Sequence, residues 1–348
     1  MRDSERERRD GLPAGAECAG IEGWLDRFAS LRVLVVGDLL LDEYRSGEVD
    51  RISPEAPVPV VRVQSIGSAP GGAANVARGI VALGASCELI GLVDEDPQAD
   101  ELLDHLRQTG IPTDGVLRTP QRPTSHKLRV VARSQQMLRL DREVAEPIDA
   151  GLADRLQREV ERQMDRCDVV VLQDYDKGIF GEGLAHSIIA LARLRGVPVV
   201  ADPKTDLGRF RGASVVKPNL DEARRFVAGA AGRFEDRRAM LEKIQEELGG
   251  SAIVVTRGRE GMTALDLEGE SFDVPTRPAE VFDVQGAGDT SLAVLALARA
   301  AGASLREGCV LANAAASLAV GKAGTAVVEL AELRECLREQ QQGFRGEM

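Results

Sequence analysis

The chain has 348 residues, 44 of them basic and 56 acidic, for a net charge of −12. That balance argues against nucleic acid or an anionic membrane as the general partner, and the length and apolar content suffice for a large core. Five scattered cysteines (Cys18, Cys87, Cys167, Cys309, Cys336) show no CxxC or paired spacing, so neither a zinc site nor a disulfide framework is expected, and a reducing cytoplasm is the expected compartment.

The opening MRDSERERRDG mixes charges of both signs and lacks an apolar signal core; residues 1–12 are expected to be disordered and 13–348 to form a single domain. No apolar run reaches membrane-spanning length. Short β-branched runs then alternate with helical patterns: LRVLVVGD, CELIGLV, DVVVLQD, VPVVAD, ASVVKPN and AIVVTRG are the strands. The helical spacings fall at about 73–84, 97–109, 149–165, 182–195, 220–228, 235–248, 287–301 and 304–321. Runs such as VLVV and DVVVL are apolar on both faces, which predicts an α/β fold with a mostly parallel central sheet between helical layers. At about 43–66 and 115–142 strand-like pieces occur without a helix between them, predicting a small accessory sheet that acts as a lid.

The second of these stretches reverses the charge of the chain. From Arg122 to Arg142 there are six basic residues and one acid, a local balance of +5. In an extended segment Lys127, Arg129, Arg133, Gln135 and Arg139 share one parity, and Leu128, Val130, Ala132, Leu138 and Leu140 the other. A single arginine here would read as a solvated face. Several cations on one face of an acidic protein point instead to an anionic small-molecule group such as a phosphate.

Near the C-terminal end, FDVQGAGDTS runs directly into the apolar helix LAVLALARAAG. Gly286 and Gly288, with Ala287 between them, let the backbone approach a ligand, and the helix start offers unpaired N–H groups: an anion hole. Asp289 follows it at once. An acid in a first turn also suits the helix dipole, but a carboxylate beside an anion hole is what phosphoryl transfer to a hydroxyl needs. The stretch is not a dinucleotide fingerprint, and no GxxxxGK[ST] loop occurs in the chain.

DVQGAGD resembles the C-terminal signature of the ribokinase-like (PfkB) carbohydrate kinases, and PGGAANVARGIVALG (70–84) resembles their N-terminal signature. GDLLLD, the NxxE of KPNLDEA and the TRGREG turn match intermediate markers, so the resemblance covers about residues 30–328. RISPEAPVPVVRV, KLRVVARSQQMLRLD, DYDKG, ADPK and NAAASLAVGKAGT look like the heptose phosphate kinases of bacterial surface-sugar synthesis. That likeness implies a ribokinase-like three-layer fold. It also implies an activity: phosphorylation by ATP of the anomeric hydroxyl of D-glycero-β-D-manno-heptose 7-phosphate on the route to ADP-heptose, a lipopolysaccharide precursor. A substrate that already carries a phosphate agrees with the basic face.

The resemblance implies these roles: Asp289 as base, with Gly286, Ala287 and Gly288 as the anion hole; Asp42, Gly71, Gly72 and Asn75 on sugar hydroxyls. Lys127, Arg129, Arg133 and Arg139 are candidates for the distal phosphate, with Asp174, Lys177 and Lys204 lining the same cleft. Asn219 and Glu222 form the NxxE pair, the Glu organising Mg2+ through water, although NLDEA is equally an ordinary capped helix start. Thr256, Gly258 and Gly261 border the nucleotide, and Asn313 lies near its base.

Three positions depart from the family pattern: Gln285 stands where Thr is usual, Asp176 where Ala is, and the KPN of Lys217 where TPN is common. Asp283 and its neighbours adjoin a monovalent-cation site in some relatives, which leaves potassium dependence open. Relatives with the heptose pattern often continue into a nucleotidyltransferase with an HxGH motif. Here only His105, His126 and His186 occur, so a separate nucleotidyltransferase, a separate phosphatase and a homodimer are expected. The competing readings are a kinase for another sugar or sugar phosphate, a non-catalytic sugar or nucleotide sensor, and, last, a dinucleotide oxidoreductase.

Overall fold

The computed structural model describes residues 16–133, 135–181, 183–228, 236–276, 282–322, 324 and 326–346. In chain order come α1 (Ala16–Phe28), β1 (Arg32–Gly37), β2 (Leu39–Ile52), β3 (Pro59–Gly72), α2 (Ala73–Ala82), β4 (Ser86–Val93), α3 (Pro97–Gln108), β5 (Val116–Arg118), β6 (Ser125–Ala132) and β7 (Gln135–Arg142). There follow α4 (Ala150–Met164), β8 (Val169–Gln173), α5 (Leu184–Leu194), β9 (Val199–Asp202), β10 (Val215–Val216), α6 (Leu220–Ala228), α7 (Arg237–Glu247) and β11 (Ala252–Thr256). Last are β12 (Met262–Leu265), β13 (Ser271–Val274), α8 (Ala287–Ala301), α9 (Leu305–Val320) and α10 (Leu330–Gly346). The expected disordered segment, 1–12, lies outside the described residues.

Two sheets result. The larger runs β13-β12-β11-β10-β9-β8-β1-β4-β5, parallel from β11 to β5, with β12 and β13 antiparallel at one edge. Its apolar runs follow from covering on both sides. Val33, Val35, Val169 and Val171 enter the core beneath α1, α2, α3, α8 and α9. Their neighbours Leu34, Val36, Val170 and Leu172 enter a second core beneath α4, α5, α6 and α7. Polar caps punctuate the helices: Asp96 accepts from Ala99 N–H, Asp149 from Leu152 N–H, and Ser304 forms a reciprocal box with Glu307, each cap contributing about 1 kcal/mol.

The small sheet has the order β3-β2-β6-β7. β2 starts in the core at Leu39, Leu40 and Leu41, all buried, and runs outward antiparallel to β3 and parallel to β6. Two sequence expectations change. The 115–142 stretch does not belong wholly to this sheet, because Val116–Arg118 pair with β4 at the edge of the large one, where Val116 is buried; three residues carry too little periodicity to show this. The first lid segment is longer than expected, spanning 39–52 and 59–72 instead of about 43–66. α1 and α10 were not anticipated.

Candidate functional site

The sheet brings the end of β8, the start of β2 and the N-terminus of α8 to one place. Gly286 has φ 76, a left-handed turn that glycine makes without strain, and the first bond of α8 is Thr290 N–H to Gly286 O at 2.8 Å. The N–H groups of Ala287, Gly288 and Asp289 precede that bond, so no carbonyl within the helix takes them. Beside them the Asp289 carboxylate is 4% exposed. Asn75 Nδ2 donates to its Oδ2 at 2.8 Å, Tyr175 OH to its Oδ1 at 3.0 Å, and Gln173 Nε2 to Oδ1 at 3.4 Å. Burial pushes Asp289 up to about 7 and the Asp202 charge adds to this, while the Asn75 and Tyr175 hydrogen bonds and the Lys217 charge pull it down.

Asn75 reaches Asp289 because Gly71 and Gly72 allow β3 to turn into α2 against β2. Gly72 has φ 59, and a Cβ there would collide with Asp38 O. A Cβ on Gly71 would meet the Leu40 side chain and Asp42 Oδ2.

A cleft of about 320 Å³ opens over Asp289 and is walled by Asp42, Gly72, Lys127, Arg129, Arg139, Lys177, Lys204 and Gly286, together with Leu40, Tyr175 and Gln285. Two larger hollows lie elsewhere, about 860 Å³ along α10 and about 370 Å³ lined by residues such as Ser214, Leu305 and Arg306. Neither gathers a buried carboxylate and several cations, so chemistry and not volume identifies the site.

The cations of the cleft are already engaged. Arg129 Nη1 donates to Asp42 Oδ1 at 2.5 Å and its guanidinium lies 5.3 Å from the Tyr44 ring. Lys127 Nζ contacts Asp141 at 3.1 Å and Glu143 at 2.6 Å, Lys177 Nζ contacts Glu143 at 2.8 Å, and Arg139 contacts Asp141 at 2.9 Å. Burial opposes ionisation of Asp141 and Glu143, but the hydrogen bonds from these cations outweigh it and hold both below the ordinary carboxylate range.

Past the ends of the interior strands β10 and β11, Asn219 and Glu222 cap each other: Glu222 N–H donates to Asn219 Oδ1 at 2.9 Å and Asn219 N–H to Glu222 Oε2 at 2.7 Å. The helix-cap reading of NLDEA is therefore realised. The Glu222 carboxyl is also buried, which raises its pKa, and Lys204 Nζ stands 3.4 Å from Oε1. Asn219 bridges to Thr256, a tight turn through Gly258 and Gly261 follows, and Gly261 packs on Thr276. Thr276 donates to Asn313 Oδ1 at 3.0 Å. The five residues assigned to the nucleotide thus form one continuous strip.

Gly71, Asn75, Ala287 and Gly288 stand behind the wall, next to residues that form it, whereas Arg133 and Asp174, expected at the phosphate end, are not part of it either. Arg133 sits in the turn between β6 and β7, exposed, with φ 49 and Nη2 3.5 Å from Val49 O. β6 ends at Ala132, so Arg133 belongs to the turn and leaves the line of Lys127 and Arg129, and a bulge at Met137 shifts the facing strand β7 by one residue. Six residues of strand from Lys127, it stands about 20 Å along the sheet. Asp174 is buried beneath the cleft, one oxygen accepting from Asp176 N–H and the other without a partner, and burial raises its pKa. The supposed apolar face of the basic strand also splits: Leu128 is buried, whereas Leu138 and Leu140 are half exposed.

Sequence reasoning missed Asp38, Tyr44, Glu143, Gln173, Tyr175 and Asp202. Asp38 accepts from Tyr175 N–H at 2.8 Å and Lys177 N–H at 3.1 Å, and burial together with the charge of Asp174 pushes it up to about 6. Tyr175 lay in plain view inside DYDKG. The departures find partners: Gln285 Oε1 accepts from Tyr44 OH at 2.6 Å, Lys217 pairs with Asp202 at 3.0 Å, and Asp176 takes φ 56, which Asp tolerates better than Ala.

The sequence pattern of the pfkB family carbohydrate kinases matches residues 30–331. Among curated relatives, the bifunctional protein HldE of Shewanella amazonensis is 44% identical over 318 residues, covering 91% of this chain and 66% of the relative. HldE of Ectopseudomonas mendocina is 46% identical over 324 residues, covering 92% and 67%. The chain therefore spans about two thirds of the length of these relatives. Among solved structures, phosphofructokinase-2 from Escherichia coli in complex with potassium superimposes with a TM-score of 0.73 at 21% identity, covering 89% of this chain and 99% of that one. Arabidopsis thaliana ribokinase complexed with ribose and ATP gives 0.69 at 21% identity, covering 88% and 99%. At these identities the two structures speak for the fold.

Proposed function

The chain belongs to the pfkB family of carbohydrate kinases, and from that premise we propose that it phosphorylates, with ATP, the anomeric hydroxyl of D-glycero-β-D-manno-heptose 7-phosphate to give the 1,7-bisphosphate. The observation that carries this reading is one cleft with a buried carboxylate, Asp289, at its floor and five cations, Lys127, Arg129, Arg139, Lys177 and Lys204, on its walls. A base and an anion hole serve any sugar kinase. The cations call for an acceptor that arrives with its own phosphate, and the identity to the HldE proteins supports a heptose.

Asp289 takes the proton of the hydroxyl, and the N–H groups of Ala287, Gly288 and Asp289 face the charge that gathers on the transferred phosphoryl oxygens. Asp42 and Asn75 hold sugar hydroxyls. The strip from Asn219 through Thr256, Gly258 and Gly261 to Asn313 receives the nucleotide. Glu222 fits Mg2+ in one respect, as a buried carboxylate beside the strip, yet no group of three or more candidate ligands occurs among the described residues. An ion there would rest mostly on water and phosphate oxygens, and its contribution is to neutralise phosphate charge. Asp283, which accepts from Gln285 N–H at 2.9 Å and Gly324 N–H at 3.2 Å, is the candidate for a monovalent cation.

We place the protein in the cytoplasm; no described helix is long and apolar enough to cross a membrane. Leu138, Leu140 and Ile66 on the small sheet are exposed by 51%, 52% and 68%, which supports a homodimer through that sheet, readable as a doubled mass in light scattering. Nucleotidyl transfer and dephosphorylation steps would complete the route.

The test is ADP release with Mg·ATP and the heptose 7-phosphate beside ribose, fructose, fructose 6-phosphate and unphosphorylated heptose. Turnover confined to the heptose 7-phosphate supports the reading. Turnover with another sugar reassigns the substrate, and silence with every sugar favours a sensor.

A further inference from the structure

We propose that Glu143 is a resident anion in the phosphate end of the cleft, occupying Lys127 and Lys177 until the phosphate of the substrate takes them, and so keeping bare inorganic anions out. This rests on the sugar phosphate reading above. One oxygen of the carboxylate meets Lys127 Nζ at 2.6 Å and the other meets Lys177 Nζ at 2.8 Å. The two lysines come from different parts of the fold: Lys127 from β6 of the small sheet, Lys177 from the loop after β8 of the large one. Both line the cleft, with side chains only 14% and 17% exposed. A phosphoryl group offers the same arrangement, oxygens spread between two ammonium groups, with a larger charge and more acceptors.

Among the acids that face these cations, Glu143 is the one placed to leave. Asp42 lies within β2 and is buried against Arg129. Asp141 lies within β7, opposite Lys127 in the strand ladder, and is shared by Lys127 and Arg139. Glu143 comes just after the last residue of β7, in the segment leading to α4, and no ladder fixes it. When it withdraws, Lys127 keeps Asp141, whereas no other ion pair of Lys177 is recorded among the described residues.

The functional consequence is a threshold. Breaking two partly buried charge pairs costs more than a free phosphate recovers, because a free ion also loses its translational freedom. A phosphate attached to a sugar brings the hydroxyl contacts of Asp42 and Asn75 along with it. The site then answers to the phosphorylated sugar and ignores inorganic phosphate, which would otherwise compete.

The experiment uses inorganic phosphate as the probe, with binding followed by calorimetry and by inhibition of turnover. Glu143→Gln should tighten phosphate binding on the order of tenfold, about 1.4 kcal/mol, and lower the KM for the sugar phosphate with kcat unchanged. Glu143→Gln combined with Lys177→Met should lose that gain. If Glu143→Gln melts too early to assay, Glu143→Asp, whose shorter side chain cannot span both lysines, should show a smaller gain in the same direction. Phosphate binding unchanged or weakened in a folded variant overturns the proposal and makes Glu143 an organiser of the lysines. Since the phosphate measurement needs no sugar, a failed sugar panel with tightened phosphate binding removes the substrate assignment alone.

Discussion

Asp289 in the cleft wall sits among amides and a phenol and is pushed up to about 7, whereas Asp141 and Glu143, paired with the lysines and the arginine of that wall, are held below the ordinary carboxylate range. The same functional group is given opposite surroundings some residues apart. Neutral donors orient Asp289 without extinguishing its basicity, which a proton acceptor working near neutrality requires. Cations hold the charge of Asp141 and Glu143, which suits Asp141 as a fixed partner of Lys127 and Glu143 in the exchange with phosphate proposed above. A base needs a tunable proton, and an anion site needs a constant charge.

The largest effect should come from removing the base. Asp289→Asn should lower kcat by roughly 10²- to 10⁴-fold with ATP and sugar phosphate affinities nearly unchanged; turnover close to wild type would strip Asp289 of the role. The same variant should gain stability at alkaline pH. The folded pKa of Asp289, about 7, lies above its unfolded value of 3.8, so the folded state binds the extra proton and stability falls as pH rises through that window. Asn removes the dependence, and its melting temperature should exceed that of wild type by a few degrees at pH 8.

Next in size is the contrast between two arginines of the same basic stretch. Arg129→Met leaves Asp42 buried without its partner and removes a cation from the cleft, and should raise the KM for the sugar phosphate by about 10- to 100-fold with a far smaller change for ATP. Arg133→Ala, at the exposed turn, should stay within about twofold for both. Equal effects on the two substrates at Arg129 would mean a structural role, and a large effect at Arg133 would mean that the small sheet closes much further over the substrate.

These arginines also show how far the sequence can be read. The layers were legible because each core strand is apolar on both faces, and the candidate base and anion hole could be picked out because GAGD stands at a helix start. Arg133 was misplaced because β6 ends at Ala132, one residue before it, and a pattern of alternation does not show where a hairpin turns. Glu143 and Asp141 were passed over because a local sum of +5 counts charges without pairing them. Asp38 and Gln173 act from the ends of strands whose apolar runs draw attention away from a single polar residue. The two terminal helices α1 and α10 flank the patterned region and carry no motif. What a sequence hides here is partnership: which acid meets which base, from 14 residues away for Lys127 and Asp141 to 87 for Arg129 and Asp42, is fixed only when the strands are laid side by side.

The smallest effect expected is also the most diagnostic of how the base is tuned. Tyr175 OH donates to Asp289 Oδ1 at 3.0 Å and stabilises its ionised form, opposing the push from burial. Tyr175→Phe removes that donor and leaves the ring. Asp289 should then hold its proton to higher pH, so the acid limb of kcat/KM, expected near pH 7 in wild type, should move upward by about half a unit to one unit. At pH 7 the loss would be roughly 2- to 6-fold, and at pH 9, where the carboxylate is ionised in both proteins, most of it should disappear. A loss that persists at pH 9 would make the hydroxyl a contact to substrate. A limb that does not move would assign the tuning to Asn75 and the Lys217–Asp202 pair, the other groups near the carboxylate that act on its charge.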